Sequence, residues 1–224
     1  DLWREKLKNA QKAIQAYVDA HTLEPKNHVV LHKLLALYQE QKLWDKAVEI
    51  IQKISDLDER VAAKAKYAYT IGVVLRDELK NLEASVAKFD EALDADPSQL
   101  KPFEAINKIW TTQKDWKNLE RAFRKMLKRL MTGTHKNPDL EWNLWHNLGV
   151  IYRDRMQKYE SAAEAFKMAS NLKPDDLNGH QILAELYALV PTRIQDAIDE
   201  HQYLLRQDAF RVDSYRSLYK LYFD

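Results

Sequence analysis

The side chains best equipped for chemistry in this chain are its seven histidines, its carboxylates and its serines, and their spacing limits what they can do. His28 and His32 lie four residues apart, a separation that puts two imidazoles on one helix face within reach of a shared metal ion. No third ligand accompanies them, so a surface histidine pair is expected and a metal site is not. His146, His180 and His201 are scattered singly, and His180 and His201 fall where packing side chains belong, so partial burial accounts for them better than acid–base work. The sequence has no cysteine, which removes thiol nucleophiles, Cys-based zinc sites, iron–sulfur clusters and disulfides together. Its serines lie in no nucleophile-elbow sequence, and glycines at 72, 133, 149 and 179 cannot build a phosphate loop or a dinucleotide fingerprint. Asp175 and Asp176 follow Pro174 directly, where acidic groups favour the start of a helix by meeting its amide dipole. No cofactor and no enzymatic activity are therefore expected.

The elements that hold these residues are read from composition first. The 224 residues carry 35 Lys+Arg against 34 Asp+Glu, a net charge of +1, so the chain has no bulk attraction for nucleic acid or an anionic membrane. Neither a nucleic-acid partner nor a membrane span is expected, since no long uncharged apolar run occurs. Four glycines are few for a chain rich in hairpins, and the 46% apolar fraction is enough for a core, so the expectation is helices joined by short turns. The opening stretch DLWREKLKNAQKAI shows no apolar signal region, which makes the cytoplasm the default expectation, and the chain reads as a piece of a longer repeat protein.

Self-similarity then organises the whole length. Trp145, Leu148, Gly149 and Tyr152, followed by Ala162, Phe166, Ala169 and Pro174, give W-x2-L-G-x2-Y and A-x3-F-x2-A-x4-P. First-helix sets opening at 31, 68, 103, 145, 180 and 215 step by 37, 35, 42, 35 and 35 residues, and second-helix sets follow in register. Pro25, Pro97 and Pro174 close second helices, whereas Glu59, Met131 and Ala209 stand at the other junctions. Small residues at 72, 149, 162, 184 and 197 mark the closest approach of paired helices, and Leu35, Asn107 and Leu119 break that rule. The 42-residue step holds residues 128–142, with Gly133 and Asn137-Pro138, read as the one long loop.

The W-L-G-Y and A-F-A-P pattern resembles the tetratricopeptide repeat (TPR) family. The resemblance implies an all-α, right-handed α-solenoid of stacked antiparallel helix pairs: a single array over 1–224, with a terminal helix at 1–22, pairs at about 28–60, 65–96, 100–131, 142–173 and 177–208, and a half repeat at 211–224. It further implies a non-enzymatic interaction scaffold, within a larger assembly, that binds a peptide or helix of another protein in a concave groove lined by first helices. In the middle repeats the positions facing that groove are Lys66, Tyr69, Val73 and Arg76, then Lys101, Glu104 and Lys108, then Asn143, His146, Val150 and Arg153. Five cations against Glu104 favour a ligand with acidic groups and a few apolar anchors. No three consecutive repeats supply the Lys, Asn and Arg set of the two-carboxylate clamp of chaperone-binding members, so chaperone C-terminal peptides are not expected ligands. Tyr215, Leu218, Tyr219, Tyr222 and Phe223 give the last helix an aromatic face suited to self-association. The alternatives are a helical-repeat RNA-processing module of the half-a-TPR or pentatricopeptide kind, suggested by Trp110 and Trp116, and a regulatory piece of a larger enzyme.

Overall fold

A computed structural model of the protein describes residues 10–133 and 136–223. Among these residues the chain is all-α, with twelve α-helices and no strand. They are α1 (Ala10–Leu23), α2 (His28–Glu40), α3 (Trp44–Leu57), α4 (Val61–Asp77), α5 (Leu82–Ala95) and α6 (Leu100–Gln113). The series continues with α7 (Trp116–Thr132), α8 (Pro138–Val150), α9 (Tyr159–Leu172), α10 (Leu177–Ala188), α11 (Ile194–Gln207) and α12 (Val212–Phe223). First-helix positions fall on the even-numbered helices and second-helix positions on the odd ones, the order of a helical-repeat solenoid. Residues 1–9 of the expected terminal helix lie outside the described residues.

Two compact units divide the chain, Asp1–Ile109 and Trp110–Asp224, with the boundary inside α6. In the first, Leu31, Leu34 and Tyr38 of α2 pack with Ala47, Ile50 and Ile54 of α3, and Ile14 and Tyr17 of α1 close over them. In the second, Ala162, Ala163 and Phe166 of α9 meet Leu183, Leu186 and Tyr187 of α10 and Ala197 of α11. Each helix offers one apolar stripe at i, i+3, i+4 and i+7, and only stacking in chain order buries both stripes of a pair.

Short polar side chains start the helices. Asn27 accepts from the amides of Val29 and Val30, Asn81 from Ala84, Asp115 from Asn118 and Asp176 from Asn178, each satisfying a donor that the first turn leaves unpaired. Left-handed residues stop the first helices: Lys42, Lys80, Lys114 and Gln157 have φ of 55°, 55°, 56° and 54°.

The stretch 128–142 is mostly helix rather than a long loop. Lys128, Arg129, Leu130 and Met131 are good helix formers and carry α7 on to Thr132, past the position where Met131 replaces a closing proline. Pro138 opens α8 in the first turn, where its missing N–H costs nothing, and Asn137 accepts from the amide of Leu140 at 3.1 Å.

A candidate interaction surface on the first helices

Two helix pairs place their first-helix residues by the same device. Gly72 in α4 admits the Phe89 ring of α5, and a Cβ at Gly72 would stand 2.6 Å from that ring. Gly149 in α8 admits Phe166 of α9 in the same way, at 2.7 Å. Both phenylalanines are fully buried. Over each ring lies the guanidinium of an arginine four residues after the glycine, Arg76 at 5.8 Å and Arg153 at 5.6 Å from the centroids. Each arginine is forked by the next residue: Arg76 donates to Asp77 at 2.7 and 2.8 Å, and Arg153 to Asp154 at 2.7 and 3.2 Å. Hydrogen bonding to its arginine holds each aspartate below the usual carboxylate range, against a smaller opposing effect of burial.

An extra residue accompanies this Arg-Asp pair. At the ends of α2 and α6 the Leu43 amide bonds Tyr38 O at 2.8 Å and the Asp115 amide bonds Trp110 O at 2.9 Å, five residues back. After α4 and α8 the Asn81 amide reaches Leu75 O at 2.8 Å and the Lys158 amide reaches Tyr152 O at 2.9 Å, six residues back. The added residue widens the last turn: the Leu79 and Met156 amides bond carbonyls five residues earlier, and Ile151–Arg155 winds as a π-turn.

The residues singled out from the sequence are distributed as follows. Lys66, Lys101, Glu104, Lys108 and Asn143 are exposed, whereas Tyr69, Val73, Arg76, His146, Val150 and Arg153 are half-buried. Those of α4 and α6 belong to the first unit and those of α8 to the second. Tyr69 tilts against Phe89 at 5.6 Å. His146 meets the edge of Phe166 at 5.3 Å and stacks on Trp142 at 5.0 Å, and burial in this setting is the main cause that pushes its pKa down. Lys173 lies over Trp142, 4.4 Å from its ring centroid, and pairs with Asp139 at 3.0 Å. Lys108 stands near enough to Asp77 for its charge to help hold that carboxylate ionised.

Counting charge along the first helices missed Asp77 and Asp154, which sit one residue beyond the positions sampled. Pairing with these aspartates takes Arg76 and Arg153 out of the count and leaves lysines 66, 101 and 108 of the first unit against Glu104. The signal was present, because Arg-Asp recurs 77 residues apart in step with Gly72/Gly149 and Phe89/Phe166. Trp142 and Lys173 were missed because their contact joins two helices.

His28 and His32 are exposed, and no group of three or more metal-ligating side chains occurs among the described residues. His180 binds Glu200 through Nδ1 at 2.7 Å and Pro174 O through Nε2 at 3.1 Å, so both ring nitrogens are engaged. His201 is 1% exposed, deeper than expected, and burial lowers its pKa. Trp116 packs beneath Arg155, 5.1 Å from its ring centroid. No helix among the described residues is long and apolar enough to cross a membrane.

Paired helices repeated along the described residues define a helical-repeat protein. Residues 143–176 match the family model described as tetratricopeptide repeat, so that stretch, α8, its closing turn and α9, is a tetratricopeptide repeat. Similar solved structures include the APC/C hetero-tetramer Cut9–Hcn1, at 15% identity and a TM-score of 0.42 over 96% of this chain and 40% of that one. The C-terminal part of a TPR repeat-containing protein from Cytophaga hutchinsonii matches at 17% identity and 0.45, over 90% and 75% of the two chains. YrrB, described as a TPR protein with an unusual peptide-binding site, matches at 18% identity and 0.45, over 80% and 81%. No curated protein sequence matches the chain.

Proposed function

We propose that this chain is a non-enzymatic protein-interaction scaffold that binds a peptide or helix of a partner protein along its first-helix faces, the side that is concave in arrays of this family. The observation that carries the reading is the recurrence of one surface design on α4 and α8: a half-buried aromatic or imidazole, a valine, and an arginine fixed over phenylalanine by the next aspartate. Side chains held in place before binding lose little entropy on contact, which favours their use as a recognition surface. Lysines 66, 101 and 108 add positive charge in the first unit, so acidic groups on the partner are favoured there, with Tyr69 and Val73 receiving apolar anchors.

The test is retention of partners from host lysate by the unmodified chain and by a variant with Lys66, Lys101 and Lys108 all changed to Glu. A partner kept by the first and lost by the second supports the reading. Equal retention by both overturns it for the first unit. We further infer that the aromatic face of α12, where Tyr215, Tyr219, Tyr222 and Phe223 are exposed, supports self-association. Sedimentation should then detect a dimer that Tyr219→Lys returns to monomer, and a monomer at every concentration rejects it.

A further inference from the structure

The second unit holds a cleft of about 700 Å³ that no first-helix surface accounts for. Its floor is α8 and the turn that ends it, through Trp145, Leu148 and Tyr152. One wall is α7, with Arg124, Lys128 and Met131 at i, i+4 and i+7; the other is α9, with Glu160, Glu164 and Met168 at i, i+4 and i+8. Both walls belong to second helices, and the candidate surface residues Asn143, His146 and Val150 of α8 and Arg153 of the turn after it do not line the cleft. The hydrogen bond from the Tyr152 hydroxyl to Glu120 Oε1 at 2.7 Å ties α7 to the floor at one end. At the other, the continuation of α7 to Thr132 carries the exposed Met131 along the opening.

We propose that this cleft takes an amphipathic helix of a partner protein that bears acidic side chains along one flank and basic side chains along the other. The walls run for two helical turns, about 12 Å, and present residues at helical spacing, which matches a helix laid in a groove through i, i+4 and i+7 anchors. Their charges are opposite in sign. Arg124 and Lys128 line the α7 side and Glu160 and Glu164 the α9 side, so an entering helix with flanks of a single sign meets repulsion on one wall whichever way it runs. Arg124 is steadied by Glu120 at 3.3 Å and Glu164 by Arg193 at 2.8 Å, while Lys128 and Glu160 are exposed. Between the walls the surface is apolar, and Met131 and Met168 supply adaptable contacts. This inference is independent of the first-helix reading, since it uses other side chains.

Three stapled peptides of about 12 residues, three turns of helix, test it. They share leucines at i, i+4 and i+7 and differ in flank charge: one mixed, one all acidic, one all basic. The methyl signals of the chain's four methionines report where each peptide binds. Expected are shifts at Met131 and Met168 with Met156 unmoved, and binding of the mixed-flank peptide at least about tenfold tighter than the other two. In a Glu160→Lys, Glu164→Lys variant the all-acidic peptide should become the tightest, and Met168→Asp, at a position 38% exposed, should weaken the mixed-flank peptide at least about tenfold. No binding, equal binding of the three peptides to the unmodified chain, an unchanged ranking in the folded double variant, or shifts that spare Met131 and Met168 each overturn the proposal. The ranking on the unmodified chain stands even if a variant fails to fold.

Discussion

In α4/α5, Gly72 admits Phe89, the Ser85 hydroxyl donates to the Gly72 carbonyl at 2.7 Å, and Tyr69 covers the ring from the surface side. In α8/α9, Gly149 admits Phe166, Ala162 stands where Ser85 does, and His146 takes the place of Tyr69. The parts common to both are the glycine, the phenylalanine and the Arg-Asp pair with its extra turn residue. What varies is a buried hydroxyl and the titratable character of the surface ring. The close approach is therefore set by the glycine and the ring, and the substitutions at 85/162 and 69/146 tune what is built on it. Repeats with Leu35 or Asn107 at the glycine's position lack the extra residue.

The largest break in the comparison should come from the rings. Phe89→Ala and Phe166→Ala each remove a fully buried ring, and each is expected to cost about 3–5 kcal/mol in urea unfolding. Similar losses would mark the two sites as one design, whereas a loss under about 1 kcal/mol at either would mean its neighbours collapse into the space. Next come Gly72→Ala and Gly149→Ala, whose Cβ atoms would meet the ring within 2.7 Å and are expected to cost about 1–3 kcal/mol. Repeating each in a Phe→Leu background should recover much of that cost, because the clash is with the ring. Equal costs in both backgrounds would instead place the strain in the backbone.

A smaller effect separates the two pairs. Ser85→Ala leaves the Gly72 carbonyl without its buried donor and should cost about 1 kcal/mol. The reciprocal Ala162→Ser, in the second unit, should be close to neutral if its hydroxyl finds the Gly149 carbonyl as Ser85 finds Gly72. A loss near that of a buried unsatisfied hydroxyl, about 1–3 kcal/mol, would show that the two backbones differ there.

Much of this was legible in the sequence because a repeat writes its packing more than once. Glycines at 72 and 149 and phenylalanines at 89 and 166 share one spacing, and sterics alone assign them to the same job. Residues 128–142 were misread because Gly133 and Asn137-Pro138 are strong turn signals, yet they punctuate only a short gap between helices that continue on either side. The charge of the first-helix surface was misjudged for a different reason: each arginine's partner was its own neighbour in the chain, a pairing that neither propensity nor the repeat template samples. The cleft between α7 and α9 left no sequence signal, since it depends on how three helices are spaced.

The finest distinction is a proton. Burial, opposed by Asp176 and aided to a smaller extent by Arg153, holds the folded pKa of His146 below its ordinary 6.5. Above that pH the histidine is neutral in both states and contributes no pH dependence. As pH falls through 6.5 the unfolded chain takes up a proton that the folded one resists, so stability should decline as the medium is acidified. His201 acts in the same direction, so His146→Tyr should reduce the decline between about pH 7.5 and 5.5 without abolishing it. Unfolding free energies at the two pH values measure the difference. The reciprocal Tyr69→His places an imidazole against Phe89 and should introduce the same acid sensitivity into α4/α5. If His146→Tyr leaves the pH slope unchanged, the imidazole stacked on Trp142 is not held neutral by burial, and the two surfaces are electrostatically alike after all.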